Sequence, residues 1–182
     1  AVAGNCQGGC AVMMALAVAP ERAGVVAISG APMSYWAGKR GRDPMRYIGG
    51  LNGGAWPATF MGDLGNGQFD GAWLVTNFER LNPANSYWKK LYDVYAKADT
   101  EGPRFLDFER WWGGYFVLTT DEIRFIVNEL FVGNKLAQGR IVTRTGRPVD
   151  LRQIKAPIVV ICSHGDNITP PQQALNWILA LY

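Results

Sequence analysis

A thiolate is a strong nucleophile, and the sequence sets one thiol where attack chemistry is served. Gly4-Asn5-Cys6-Gln7-Gly8-Gly9 has the form Gly-x-nucleophile-x-Gly, whose small flanking residues let a chain turn sharply from strand into helix. Such an elbow lifts the nucleophile above the sheet edge in a strained conformation. A helix N-terminus at Cys6 favours the thiolate. The backbone amide of Gln7 would point at the oxygen of a tetrahedral intermediate and supply one oxyanion-hole donor. The second donor is expected from a loop earlier in the sheet, which these residues do not contain. The competing reading is structural, because cysteine is often a small, inert, buried side chain.

The second group is Asp166, which lies just past a strongly apolar run, Pro157-Ile158-Val159-Val160-Ile161-Cys162. In open parallel sheets, ligands and catalytic residues gather beyond the carboxyl ends of the strands. An acid there would hold a histidine in its working tautomer, and the order nucleophile, acid, histidine suits this fold. Gly165-Asp166-Asn167 is also good turn chemistry, so a purely local role stays open. The histidine itself is the gap. His164 is the only one in the chain, two positions from Asp166, and so close a neighbour rarely meets acid and nucleophile at once. It reads as a loop or pocket-lining residue, and the base is expected after one further strand, beyond Tyr182. Cys10 and Cys162 read as core, the cysteine spacing fits no zinc site, and Asn167-Ile168-Thr169 matches a glycosylation sequon incidentally.

These groups need elements to hold them. Ala1–Ala3 read as the end of a buried strand, and residues 7–19 as a nearly all-apolar helix that Pro20 stops. Val25-Val26-Ala27-Ile28 reads as a second buried strand, ended by Ser29-Gly30. Strand, turn, helix, strand is a βαβ unit and implies a parallel sheet covered by helices. Pro32 to Phe69 reads as compact loops with short helices, including a solvated basic run at Lys39, Arg40 and Arg42. Asn82-Pro83 opens a helix with an aromatic face of Ala84, Tyr87, Trp88, Leu91, Tyr92 and Tyr95. Thr119 and Glu122 form a capping box for another, with Ile123, Ile126, Val127, Leu130 and Phe131 inward and Gly133 at its end. After the strand at 158–162, Thr169 is expected to cap a helix with Ala174, Leu175 and Ile178 facing in. The expectation is an α/β domain: residues 1–32 and 150–182 form the sheet core, and 33–149 a largely helical lid.

Composition narrows the classes. The chain has 182 residues, 48% apolar and 18% charged, with a net charge of +3, which excludes a disordered chain and gives no nucleic-acid or anionic-membrane footprint. No apolar run is long enough to span a membrane, and Met13–Ala19 does not read as a signal peptide. Three cysteines without a disulfide pattern suit a reducing, cytoplasmic setting. No metal or cofactor is expected. Both ends read as cut, so the first strands and the last strand of the sheet are expected to be missing.

The elbow Gly4-Asn5-Cys6-Gln7-Gly8-Gly9 resembles the lipase-like box of polyhydroxyalkanoate synthases, in which cysteine replaces the serine of lipases. Residues 149–157, followed by a strand and Gly165-Asp166-Asn167-Ile168-Thr169-Pro170, are similar to the family segment that carries the catalytic aspartate. Phe108-Glu109-Arg110-Trp111-Trp112 and Leu130-Phe131-Val132-Gly133-Asn134-Lys135-Leu136 are similar to its lid. The resemblance, closest to a bacterial branch related to these synthases, implies an α/β-hydrolase fold and a Cys6 that accepts acyl groups from 3-hydroxyacyl coenzyme A thioesters. It implies that Asp166 works through a histidine, and it admits granule association. The family usually places a histidine directly after the aspartate, where this chain has Asn167. A thioesterase or esterase, or a non-catalytic acyl- or protein-binding module, would use the same scaffold. The oligomeric state is open, and the 182 residues alone are expected to be inactive, lacking base and second oxyanion donor.

Overall fold

The computed structural model describes residues 1–42 and 45–182. Asp43 and Pro44, within the stretch read as loops and short helices, lie outside the described residues. The chain divides into two compact units, one of Ala1–Pro57 with Arg124–Tyr182 and one of Ala58–Ile123. The insertion read as 33–149 is thus wider than the second unit.

In the first unit, β1 (Val2–Asn5) runs through an abrupt turn into α1 (Gln7–Val18), and β2 (Val26–Ser29) follows. Met45–Leu51 forms α2, and α3 (Trp56–Leu64) begins before the boundary at Pro57. β2 lies parallel to β1 with Val2 opposite Val26 and Asn5 opposite Ser29, which makes the βαβ unit expected from the apolar runs. A late strand, Ile158–Ile161, pairs parallel with the other side of β2, Ser29 opposite Ile161. The architecture is α/β with a small parallel sheet and many helices.

One sheet face carries the core. Val26 and Ile28 are fully buried beneath Cys10, Met13, Leu16 and Ala17 of α1, and Leu130, Leu136, Ile141, Leu151 and Trp177 join the same cluster. Burying aliphatic side chains stabilises by about 1.5–3 kcal/mol each. On the opposite face Ala3, Val159 and Ile161 are exposed.

The second unit holds β3 (Gln68–Asp70), α4 (Ala72–Glu79), a π-helical turn at Asn85–Lys89 leading into α5 (Lys90–Ala96), and α6 (Ala98–Trp112). β4 (Val117–Thr119) pairs antiparallel with β3. Asn82 accepts the amide of Asn85 at 3.3 Å, so the helix starts as read. Its aromatic face, however, stays exposed, with Trp88 at 76% and Tyr95 at 82%. Among this unit's described large apolar side chains, Phe69 and Ile123 are the buried ones.

α7 (Thr120–Phe125) opens on the expected capping box: Thr119 donates its amide to Glu122 at 2.7 Å, and Glu122 donates its amide back to the Thr119 hydroxyl at 3.2 Å. It continues as a π-helical segment, Ile126–Val132, with Ile126 and Leu130 buried. The Ile158–Ile161 strand, β5, and α8 (Pro171–Leu181) close the chain. Two readings of α8 are corrected. Pro170, without side-chain capping, stands at its N-cap in place of Thr169, and the inward residues are Gln173, Ala174 and Trp177. Leu175 and Ile178 are exposed, because the buried Gln173 amide donates to the Tyr35 carbonyl at 2.8 Å and fixes the helix rotation.

Candidate active site

Cys6 stands between β1 and α1, at the N-cap of the helix, with φ 51° and ψ −133°. A non-glycine residue with positive φ away from the left-handed helical well is strained by about 1–3 kcal/mol, so its surroundings must hold it. They do so sterically. A Cβ on Gly4 would fall 2.7 Å from the Cα of Gly9 and 2.8 Å from the Gly8 carbonyl oxygen. One on Gly9 would meet the Ala31 Cβ at 2.6 Å. Gly8 has no such constraint, with nothing within 4 Å of its Cβ position. Gly4 and Gly9 therefore allow the first turn of α1 to pass directly over the strand end.

Backbone bonds carry the ladder past the strands. Cys6 donates its amide to the Ser29 carbonyl at 2.7 Å, and Gly30 donates to the Ile161 carbonyl at 2.9 Å. Cys6, Gly30 and Cys162 therefore form the next row at the carboxyl edge of β1, β2 and β5. Asp166 comes four residues later and turns back over this row. Its Oδ1 accepts the amides of Ile168 and Thr169, each at 2.9 Å. Its Oδ2 lies 3.5 Å from where a Gly30 Cβ would stand. The sequence reading set Cys6 and Asp166 in one site, and the fold brings the two residues to one edge of the sheet.

The electrostatics follow from that approach. Burial pushes the Cys6 thiol above its ordinary range, the Gln7 backbone amide facing the sulfur pulls it down, and the Asp166 charge adds to the upward push. The balance of these effects favours the protonated thiol at neutral pH. Gln7 is where an oxyanion donor was expected, and its amide now favours the thiolate. His164 is exposed. Cys10 is fully buried, its thiol pushed up to about 12, mainly by burial, and it packs as core. Cys162 is half-buried.

Among the described residues, no group of three or more His, Cys, Asp or Glu side chains is arranged to hold a metal ion. No described helix is long and apolar enough to cross a membrane. A concavity of about 490 Å³ is lined by Met14, Val18, Phe125, Ile141, Val149 and neighbours, toward the far end of α1 from Cys6.

The family model "Protein of unknown function (DUF3141)" matches residues 1–182. The chain belongs to this family. It is 61% identical over 181 residues to an uncharacterized protein in the ackA 5′ region of Rhizobium meliloti, a match covering all of this chain and 25% of that relative. It is also 22% identical over 108 residues to a poly(3-hydroxyalkanoate) polymerase subunit PhaC of Haloferax mediterranei, covering 58% of this chain and 22% of that protein. The chain thus spans about a quarter of the length of the curated relatives it matches. No solved structure gives a significant match.

Proposed function

We propose that residues 1–182 carry the nucleophile and the acid of an α/β-hydrolase-type site that moves 3-hydroxyacyl groups from coenzyme A thioesters. The observation that carries this reading is Cys6, held at φ 51° on a strand-to-helix elbow with the Asp166 carboxylate turned toward the same edge. The distant likeness to a poly(3-hydroxyalkanoate) polymerase subunit supports the substrate class.

In this reading a histidine outside residues 1–182 takes the Cys6 proton, and Asp166 stabilises the imidazolium. The thiolate attacks the thioester carbonyl, the carbon–sulfur bond to coenzyme A breaks, and the leaving thiolate takes the proton from imidazolium. The acyl group then sits on Cys6. The hydroxyl of a second hydroxyacyl group attacks it, gives its proton to imidazole, and displaces the Cys6 thiolate as an ester forms. The Gln7 amide donates to the oxyanion of each tetrahedral intermediate.

The test is release of coenzyme A from 3-hydroxybutyryl-CoA by the full-length polypeptide. Cys6→Ala is expected to lower it by 10³-fold or more, on the order of the loss when a covalent nucleophile is removed. Turnover unchanged in the variant sinks the reading. Oligoester products support transfer to a hydroxyl, whereas free acids alone assign the site to a thioesterase.

A further inference from the structure

Arg46 is 2% exposed, and a buried guanidinium is ordinarily matched by a carboxylate. Among the described residues no ion pair neutralises it. Nη1 donates to the Ala37 carbonyl at 2.7 Å, and Nη2 donates to the Lys39 carbonyl and to the Tyr47 hydroxyl, the last at 2.8 Å. Nε is buried without a partner. Gly38, at φ +137°, makes the space, since a Cβ there would fall 1.9 Å from Nη1. The Gly41 amide donates to the same Tyr47 hydroxyl at 3.3 Å. The loop that leaves the carboxyl end of β2 is thus wrapped around a fixed positive charge.

Outside that wrap stand Lys39, Arg40 and Arg42, all exposed. Between Glu21 and Asp63 the sequence holds a single acid, Asp43, so residues 34–51 carry a surplus of +3, as large as that of the whole chain. Three exposed cations alone would be a solvated run. A buried charge beneath them is screened less by water and adds to their field, which favours an anion. Trp36 and Tyr47 stand beside the loop with ring centroids 6.4 Å apart, and the Trp36 indole is fixed by donating to the Val132 carbonyl at 2.8 Å. Aromatic faces beside concentrated positive charge suit a base and its phosphates together.

We propose that the loop of residues 37–42 is a seat for the nucleotide half of coenzyme A: Lys39, Arg40 and Arg42 hold its phosphates, Trp36 and Tyr47 face its adenine, and the buried Arg46 positions the loop from beneath. This rests on the reading of the substrate as a coenzyme A thioester and adds where its far end is held. The loop follows Ser29 at the sheet edge on which Cys6 stands, and the long pantetheine arm lets the thioester reach Cys6 from a separate seat.

The probe is adenosine 3′,5′-bisphosphate, which carries the 3′-phosphorylated adenosine of coenzyme A without its thiol, titrated into the full-length protein by calorimetry. Lys39→Ala, Arg40→Ala and Arg42→Ala combined should weaken its binding about 30-fold or more, because charge-assisted bonds to phosphate are the strong ones. The three side chains are exposed and the carbonyls that hold Arg46 remain, so the variant should melt with the unmodified protein. Equal binding in the two proteins, or none in the unmodified one, overturns the seat. Pyrophosphate held as tightly as the nucleotide, or a single-stranded RNA oligomer held more tightly, overturns the assignment to coenzyme A. Arg46→Lys keeps a charge but cannot span both carbonyls. It should raise KM for 3-hydroxybutyryl-CoA about tenfold more than KM for 3-hydroxybutyryl-pantetheine, and an equal rise overturns the positioning role. The titration needs no turnover. Nucleotide bound by a protein whose Cys6→Ala variant still releases coenzyme A would keep the seat and remove the acyl-transfer reading; release lost in Cys6→Ala with no nucleotide bound would do the reverse.

Discussion

The Cα of Gly9 occupies the place where a side chain on Gly4 would begin, 2.7 Å from its Cβ position. The contact is backbone on backbone, so no rotamer change relieves it. Gly4→Ala and Gly9→Ala are expected to destabilise the protein by about 1–3 kcal/mol each, the usual cost of overpacking. Gly8→Ala should be neutral or stabilising by about 0.5–1 kcal/mol, because its Cβ position is open and alanine is the better helix former. Thermal melts of the three variants check this ordering. A melt of Gly8→Ala as low as the other two would show that the elbow is held some other way.

The two oxygens of Asp166 have different neighbours, and substitutions should separate them. Asparagine keeps an Oδ1 that can accept the Ile168 and Thr169 amides, whereas alanine leaves both without that partner. Asp166→Asn is therefore expected to melt near the unmodified protein while coenzyme A release falls by roughly 10²–10⁴-fold, the range for losing acid–base assistance. Asp166→Ala should lose the same activity and a further ~1–2 kcal/mol of stability. Equal activity in Asp166→Asn and the unmodified protein would reduce Asp166 to a turn residue.

The elbow and its sheet were legible because their determinants are local. Short aliphatic runs at residues 25–28 and 157–162 specify strands, and the glycines flanking Cys6 specify the sharp turn. What the sequence hid is long-range. Nothing near Gly30 announces that a carboxylate 136 positions later returns to it. Gln173 is a polar residue, yet it is buried, and its bond to the Tyr35 carbonyl turns α8 away from the face that apolar spacing suggests. The longest helix among the described residues, Ala98–Trp112, contains Gly102 and Pro103, residue types that usually interrupt a helix. The aromatic spacing of residues 84–95 was correctly periodic, but a π-helical turn at Asn85–Lys89 and the few buried partners in that unit leave its face in solvent.

A charge cluster in the second unit gives a pH prediction. Lys90 donates to Glu109 at 2.9 Å and to Glu79 at 3.4 Å, and the Trp112 indole donates to the same Glu79 oxygen at 2.6 Å. Burial pushes Glu79 upward, but Ser86, Trp112 and Lys90 outweigh it and hold the carboxyl below its ordinary range. Burial likewise opposes the charge on Lys90, and Glu109 and Glu79 outweigh that, raising it. The Glu79 contribution is present above the ordinary carboxylate value and is lost as pH falls through the lowered folded one. The Lys90 contribution persists until pH climbs through its raised value. Glu79→Gln should therefore cost on the order of 1 kcal/mol at neutral pH. The gap between the two melting temperatures should close below roughly pH 4. A gap that stays constant from pH 3 to 7 would mean the cluster contributes through packing alone.

The two cysteines at the start of α1 should respond in opposite ways to substitution. Cys10 is fully buried among Met13, Val26, Ile28 and Trp177, with its thiol pushed up to about 12, so it serves as a small apolar core residue. Cys10→Ser places a hydroxyl there and should lower stability by about 1–3 kcal/mol, while coenzyme A release per folded molecule stays within a few-fold of the unmodified protein. Cys6 is half-exposed and strained at φ 51°, so Cys6→Gly relieves the backbone and should raise the melting temperature while abolishing turnover. Differential scanning calorimetry and the coenzyme A assay on the same samples check both. Strain kept at Cys6 at the expense of stability is what a nucleophile position requires, and a Cys6→Gly variant that melts lower than the unmodified protein would contradict it.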